Sequence, residues 1–296
     1  MPWLAITLDV APANAETLAD ALLESGAVSV ETGDAFAGTP RECARFNEPG
    51  ETGAAVWELA RIRALFDADA DIAAALPAAL TAAGYDPDQT FAVERVEDQD
   101  WVRAVQADFR PLQVSPRVWV VPTWHVAPDP GAINLIIDPG MAFGTGTHPT
   151  TRLCLEWLDR HVLAGQQVLD YGCGSGILAI AAMKLGAAAA KAVDIDPAAV
   201  LAARNNAMQN QVALQVESAD GAACATYDVV LANILANPLK LLAPLLSRAT
   251  RGGGHVVLSG ILEHQAGDVR ACYSEWFDMD FDQREDGWVL LVGRRR

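Results

Sequence analysis

Three closely spaced glycines form the first candidate ligand-binding feature of the chain. Residues 168–180 read VLDYGCGSGILAI and predict a strand, a loop containing Gly172, Gly174 and Gly176, and a helix. Glycine lets the chain turn tightly and lets a ligand approach the backbone, and the start of a helix offers free N–H groups. Asp194 ends the next predicted strand, where a carboxylate can accept both hydrogen bonds of a ribose diol. The pattern predicts a nucleoside site with Gly172, Gly174 and Asp194 as binding residues.

The spacing of these glycines distinguishes between two cofactor classes. A dinucleotide fingerprint, Gly-x-Gly-x-x-Gly/Ala, needs a small third residue where the pyrophosphate crosses the helix. Ile177 occupies that position here, so the spacing favours S-adenosylmethionine over NAD. Two alternatives stay open. One is an NAD(P)-dependent oxidoreductase, although the motifs hold no catalytic His or Tyr-Lys pair. The other is a non-catalytic protein that binds the cofactor as a sensor.

A polar residue ends a second apolar run. Residues 228–233 read DVVLAN and predict a buried strand that opens into a loop. Ligands of open α/β sheets bind beyond the carboxyl ends of the strands, so we expect Asn233 to project into the site. Its amide can accept a hydrogen bond from an amine and donate one to a carboxylate. The plainer interpretation is an Asn that caps the helix beginning near Pro238.

A glycine-rich loop precedes the glycine motif. Residues 138–151 read DPGMAFGTGTHPTT and combine glycine hinges, hydroxyl groups and an aromatic ring. Such a loop could cover a ligand. His148 is a conceivable general base, but a loop His beside a Pro more often caps a helix or makes a hydrogen bond, and we assign it no catalytic role.

The N-terminal third must supply a separate small domain. Residues 1–96 show the order β-α-β-β-α-β, which is typical of a ferredoxin-like sandwich. The predicted strands lie at 3–8, 27–31, 54–65 and 90–96, and the predicted helices at 14–25 and 69–83.

The elements predicted for residues 97–296 hold these motifs in place. Residues 97–137 are punctuated by prolines and are predicted to be a linker with entry strands. Strands and helices then alternate through 138–296, as in a parallel, doubly wound α/β sheet. The predicted elements lie at 167–171, 177–185, 191–195, 197–209, 228–233, 238–250 and 255–259, followed by a hairpin at 277–284 and 288–293.

Acidic residues are concentrated in the N-terminal part. Residues 1–100 contain 19 Asp and Glu against five Arg and no Lys, out of a net charge of −17 for the 296 residues. Binding to phosphates calls for clustered Lys and Arg, so we expect no direct nucleic-acid binding. The acidic surface either confers solubility or meets a basic partner.

The cysteines and the hydropathy indicate the compartment in which the protein is expected to act. Five Cys are scattered without a Cys-x-x-Cys pair, which predicts buried thiols in a reducing compartment and no metal site. No run approaches the ~20 apolar residues of a membrane span. We expect a soluble, cytoplasmic protein, and a monomer because no heptad pattern is present.

Four segments together resemble the PrmA family, the methyltransferases of ribosomal protein L11 of the large subunit. They are residues 138–151, 170–180, 193–197 and 233–235. The glycine loop is common to many methyltransferases, whereas GTGTHPTT joined to Asn-Ile-Leu is far more specific. The N-terminal third agrees by architecture only.

The resemblance implies a substrate-recognition domain tethered to a seven-stranded class I methyltransferase domain. It implies methylation of lysine side-chain amines and the N-terminal amine of L11 by S-adenosylmethionine. Thr151 would contact the methionine part, Gly172 would lie under the cofactor, Asp194 would hold the ribose, and Asn233 would line the methyl-transfer site as the catalytic residue. Related enzymes that modify glutamine or bases carry Asn-Pro-Pro-Tyr/Phe, and Ile234 and Leu235 depart from that pattern.

Overall fold

The computed structural model describes residues 2–42, 57–96, 109–138, 144–161, 164–219 and 225–296. The chain divides into two compact units, Met1–Ala104 and Val105–Arg296. Cys43, Cys224 and residues 139–143 of the glycine-rich loop lie outside the described residues, so the predictions made for them stay predictions.

The first unit is a four-stranded antiparallel sheet with two helices. Its elements are β1 (Trp3–Val10), α1 (Ala15–Glu24), β2 (Ser29–Asp34), β3 (Ala60–Asp67), α2 (Ile72–Ala82) and β4 (Ala92–Val96). The strand order is β2-β3-β1-β4. β3 alternates buried and exposed side chains, as expected of a strand with one face in the core. Ile6, Leu18, Ile62 and Leu80 form part of that core.

The second unit contains a seven-stranded mixed sheet in the order β10-β9-β8-β11-β12-β14-β13. Its strands are β8 (Gln167–Tyr171), β9 (Ala189–Asp194), β10 (Gln215–Ser218), β11 (Tyr227–Asn233), β12 (Thr250–Leu262), β13 (Phe277–Glu285) and β14 (Trp288–Arg295). Strands β8 to β12 run parallel, and β14 is antiparallel to both of its neighbours. The carboxyl ends of five strands therefore meet at one edge.

In the described part of this unit, five helices connect or flank these strands. They are α3 (Pro149–His161), α4 (Ile177–Lys184), α5 (Pro197–Gln209), α6 (Ala236–Ala249) and α7 (Ala266–Tyr273). The start of α5 follows from local chemistry, because Asp196 accepts a hydrogen bond from the N–H of Ala198 and Pro197 occupies the first turn.

A further three-stranded sheet belongs to the second unit. It consists of β5 (Leu112–Gln113), β6 (Val118–Pro122) and β7 (Ile133–Ile137). Val118, Val120, Leu135 and Ile137 are buried in the same core as α4. Where residues 97–137 are described, they thus pack as part of the second unit.

Strand β10 and helix α7 were not among the elements predicted from the sequence. Strand β10 is only four residues long, and α7 has few buried apolar residues, Val269 and Tyr273. Neither has the apolar periodicity on which the prediction depends. In the described part of the chain, no helix combines the length and apolar character required to cross a membrane.

Candidate functional site

The glycine loop connects β8 to α4 at the carboxyl edge of the sheet. Gly172, Gly174 and Gly176 all have positive φ, at 73°, 52° and 78°. The N–H of Gly172 donates to the carbonyl of Val193 at 2.8 Å, which ties the loop to the neighbouring strand. A Cβ at Gly176 would lie 2.9 Å from the Cβ of Ala203, so glycine lets α5 pack closely. The conformation requires glycines here.

Asp194 joins the end of β9 to the same loop. Its Oδ2 accepts a hydrogen bond from the N–H of Gly174 at 2.8 Å, and its Oδ1 accepts one from the N–H of Asp196 at 3.0 Å. These bonds hold the carboxylate at the edge of the sheet, next to the glycine loop. Each oxygen keeps a lone pair for another donor, as a ribose diol would require.

Asn233 and Thr151 meet at this edge. Asn233 is the last residue of β11, and Thr151 lies in the buried first turn of α3. The side-chain nitrogen of Asn233 donates to Oγ1 of Thr151 at 3.4 Å. Helix α6 has Leu235 as its N-cap residue and no side-chain cap. The structure therefore does not place Asn233 at the N-cap position of that helix.

His148 makes the local hydrogen bonds expected of a residue before a helix. Its Nδ1 lies 2.8 Å from Oγ1 of Thr150, and its carbonyl accepts from the N–H groups of Thr151 and Arg152. Its ring contacts Trp288 edge-on, with centroids 4.9 Å apart. Burial, and next the positive charge of Arg152, lower the pKa of His148 below its ordinary value. These contacts agree with the hydrogen-bonding role and give no support to a general base.

A buried carboxylate lies beneath the glycine loop. Asp170 is 1% exposed, and its Oδ2 accepts a hydrogen bond from the N–H of Ala179 at 3.1 Å. Among the described residues its Oδ1 has no hydrogen-bond partner. Burial raises the pKa of Asp170 to about 7, the bond from Ala179 opposes that shift, and the charge of Asp194 adds to it. A carboxylate with one buried oxygen left without a partner favours a cationic ligand over an anionic one.

Two buried residues that the sequence analysis did not single out brace the loops. Oδ1 of Asn206 accepts from the N–H of Asp138 at 3.0 Å, and its Nδ2 donates to the carbonyl of Ser175 at 3.0 Å. Oγ of Ser175 donates to the carbonyl of Gly144 at 2.6 Å. A signal existed, because Asn206 falls at the spacing of the buried α5 residues Ala199 and Ala203, and a buried polar residue needs partners.

No metal centre is found in the part of the chain that the structure describes. There, no three His, Cys, Asp or Glu residues come together in an arrangement able to hold an ion. Cys154, Cys173 and Cys272 are free thiols. The features that remain at the carboxyl edge are hydrogen-bonding groups and glycines, which suit an organic cofactor.

Comparison with known proteins matches this chain to a family. The family model described as ribosomal protein L11 methyltransferase (PrmA) matches residues 2–296. A protein named ribosomal protein L11 methyltransferase from Chromobacterium violaceum is 53% identical over 296 residues, covering 100% of this chain and 99% of that protein. A relative of the same name from Laribacter hongkongensis is 53% identical over 300 residues, covering 100% of both chains.

A solved structure supports the same placement. The crystal structure of a ribosomal protein L11 methylase from Lactobacillus delbrueckii subsp. bulgaricus is 34% identical and has a TM-score of 0.58. The match covers 64% of this chain and 100% of that chain. The predicted α/β, Rossmann-like class is confirmed, and the resemblance inferred from the four motifs is confirmed as well.

Proposed function

This chain belongs to the PrmA family, and from that premise we propose that it transfers methyl groups from S-adenosylmethionine to ribosomal protein L11. The acceptors are lysine side-chain amines and the N-terminal amine. The chain is thus a protein-lysine N-methyltransferase. Membership in a methyltransferase family decides against the NAD(P)-dependent oxidoreductase that the glycine loop alone had left open.

The observation that carries the proposal is the hydrogen bond between Asn233 and Thr151. It brings the two most specific motifs together at the carboxyl edge, where ligands of open α/β sheets bind. The Asn233 amide is polar and uncharged, and it lies at the end of a strand whose other residues are buried. Such a group can orient an amine without protonating it.

The residues at the edge fit S-adenosylmethionine. When bound, this cofactor supplies a methyl group on a positively charged sulfur. We assign the ribose to Asp194, the methionine part to Thr151, and the floor of the site to Gly172 and Gly174. The unpartnered oxygen of Asp170 fits a cofactor that carries positive charge. Ile177 is buried at the start of α4, where a pyrophosphate would need a small residue.

The acceptor amine must lose its proton before it can attack. A lysine has an unperturbed pKa of about 10.4, and transfer into a site of low dielectric lowers it. We assign no dedicated base, because His148 is held in a local hydrogen-bond pattern. Asn233 and adjacent backbone carbonyls orient the desolvated amine, and in-line positioning supplies the rate enhancement.

The N-terminal unit is proposed to recognise the substrate. Its strand order β2-β3-β1-β4 supports a ferredoxin-like domain, which precedes the proposed seven-stranded class I methyltransferase domain in the sequence. Its excess of acidic residues suits a basic ribosomal protein and disfavours direct contact with nucleic acid. We expect a cytoplasmic protein that acts as a monomer.

Transfer of radiolabelled methyl groups tests the proposal. The purified chain is incubated with labelled S-adenosylmethionine and a mixture of ribosomal proteins, and with ribosomal RNA in a parallel reaction. We expect label in one small ribosomal protein and none in RNA. Label in RNA would overturn the substrate assignment. Cofactor binding without any transfer would favour the sensor that the sequence alone had left open.

A further inference from the structure

Ile234 occupies a confined position directly after the proposed transfer residue. Strand β11, which ends at Asn233, lies between β8 and β12 in the sheet. Gly172 follows the end of β8, and Gly260 lies in β12 one residue after Ser259, the residue paired with Asn233. The two glycines therefore flank the chain where it leaves β11.

The side chain of Ile234 lies against Gly172. A Cβ added at Gly172 would overlap Cγ2 of Ile234, while the Cβ of Ile234 would stay 3.9 Å away. The close approach thus involves one branch of the isoleucine and not its backbone. Ile234 also packs against the buried cluster that contains Leu169 and Val230. The glycine loop and the residue after Asn233 are in direct contact.

The backbone of Ile234 lies against Gly260. A Cβ added at Gly260 would overlap the carbonyl oxygen of Ile234 and would lie 2.7 Å from its carbonyl carbon and 3.1 Å from its nitrogen. Gly260 has φ of 81°, and the pairing of β12 with β14 shifts register between Leu258 and Ile261. This irregularity brings β12 close to the peptide unit of Ile234.

We propose that Ile234, together with Gly172 and Gly260, is a positioning unit for methyl transfer, which we call the Ile234 seat. Its side-chain contact sets the glycine loop, and hence the cofactor, relative to β11. Its backbone contact fixes the peptide that follows Asn233 and so aims the Asn233 amide at the acceptor amine. The inference rests on the proposed function, because it refines the same site.

The side-chain contact predicts a specific rescue. Gly172→Ala should weaken binding of S-adenosylhomocysteine by about tenfold or more, because its Cβ displaces Ile234 and the loop. Adding Ile234→Ala removes the overlapping branch and should recover most of the lost affinity, while the strain of an alanine at φ of 73° remains. Calorimetry with S-adenosylhomocysteine measures both values and needs no L11.

The backbone contact at Gly260 predicts a loss of kcat instead of cofactor affinity, and a loss that Ile234→Ala does not rescue. Gly260→Ala should lower kcat by about tenfold or more with KM for S-adenosylmethionine changed by less than about threefold, since the displacement falls on the transfer groups. Ile234→Ala should not rescue it, because the overlap is with backbone atoms. Gly253→Ala is the matched control: it lies in the same strand with φ of 77° and has nothing within 4 Å of an added Cβ. It should retain kcat.

Further variants keep the test decisive if a glycine variant fails to fold. Ile234→Ala alone should lower kcat while S-adenosylhomocysteine binding persists, and Ile234→Val, which keeps a branched side chain, should retain kcat. The seat is overturned if Ile234→Ala recovers none of the affinity lost in Gly172→Ala, or if Gly253→Ala loses as much kcat as Gly260→Ala. A wild-type chain that binds cofactor but leaves L11 unmethylated refutes the proposed function instead, and the rescue of affinity still decides whether the side-chain contact exists.

Discussion

Asn233 and Thr151 are 82 residues apart in the chain, yet Nδ2 of Asn233 lies 3.4 Å from Oγ1 of Thr151 in the structure. The sequence predicted both residues as parts of one site because each belongs to a motif with a recognisable pattern. It did not predict Asn206 or Ser175, whose roles depend on contacts with backbone groups 68 and 31 residues away. Motifs identify candidate ligand-binding groups, whereas the hydrogen-bond partners of the residues that brace them become visible only in three dimensions.

Substitution of Asn233 tests its assignment as the transfer residue. We expect Asn233→Ala to lower kcat by about 10²–10³, as loss of one positioned polar group typically does, while S-adenosylhomocysteine still binds. Kinetic assays and calorimetry measure the two effects. Asn205→Ala is the control, because Asn205 is exposed on α5. Full activity of Asn233→Ala would refute the assignment.

The raised pKa of Asp170 predicts that the free energy of unfolding depends on pH. Its pKa is about 7 in the native state and 3.8 as the ordinary value, so the native state binds the proton more tightly than the unfolded chain. The stabilisation that the protonated Asp170 adds to the free energy of unfolding is complete below about pH 4 and is lost as the pH rises through about 7. Relative to Asp170→Asn, the wild-type free energy of unfolding should fall by about 2 kcal/mol between pH 5.5 and pH 8.

Urea denaturation of both proteins at the two pH values measures this difference. The comparison cancels the opposite trend of His148 and His255, whose lowered pKa values remove stability as the pH falls. Parallel pH profiles for the wild type and Asp170→Asn would contradict a raised pKa at Asp170.

At the scale of the elements, strongly patterned segments were predictable. Strand β8 and helix α5 have the predicted bounds, because an apolar run and an Asp-Pro start define them locally. Strand β12 is longer than expected, extending from Thr250 to Leu262, since its glycines interrupt the apolar pattern without interrupting the pairing. The placement of β5 to β7 in the second unit depends on burial against α4, which no local pattern encodes.

Helix α5 should act as the brace between the two loops through Asn206. Asn206→Ala leaves the N–H of Asp138 and the carbonyl of Ser175 without their partner, and we expect a loss of about 1–3 kcal/mol of stability with a raised KM for S-adenosylmethionine. The exposed neighbour Asn205→Ala should cost less than about 0.5 kcal/mol. Thermal unfolding and initial rates measure both; equal melting temperatures and KM values for the two variants would exclude the brace.

At the scale of the whole molecule, charge and chemistry are divided between the two units. The first 100 residues carry half of the 38 acidic residues but only five of the 21 basic ones, whereas the glycine loop, Asp194 and Asn233 all lie in the second unit. We propose that this division separates capture of a basic protein from transfer to it. The alternative is an acidic surface that only confers solubility, and in that case substrate capture would not depend on salt.

Salt should weaken capture of the substrate without weakening binding of the cofactor. Attraction between exposed charges is screened strongly at about 0.15 M salt, so KM for L11 should rise with ionic strength while the Kd for S-adenosylhomocysteine stays constant. Asp20→Asn with Glu24→Gln, two exposed positions on α1, should raise KM for L11 at low salt. Asp268→Asn with Glu275→Gln in the second unit is the charge-matched control. If KM for L11 does not change with salt, the acidic residues of the first unit serve only solubility.

Mass spectrometry of ribosomal protein L11 tests the central claim most directly. Purified L11 from cells lacking this enzyme is incubated with S-adenosylmethionine and either the wild-type chain or Asn233→Ala, and the peptides are then mapped. We predict whole-methyl mass increments on lysine side chains and on the N-terminal amine with the wild type, and almost none with Asn233→Ala. Unmodified L11 after incubation with a wild-type chain that binds the cofactor would contradict the account.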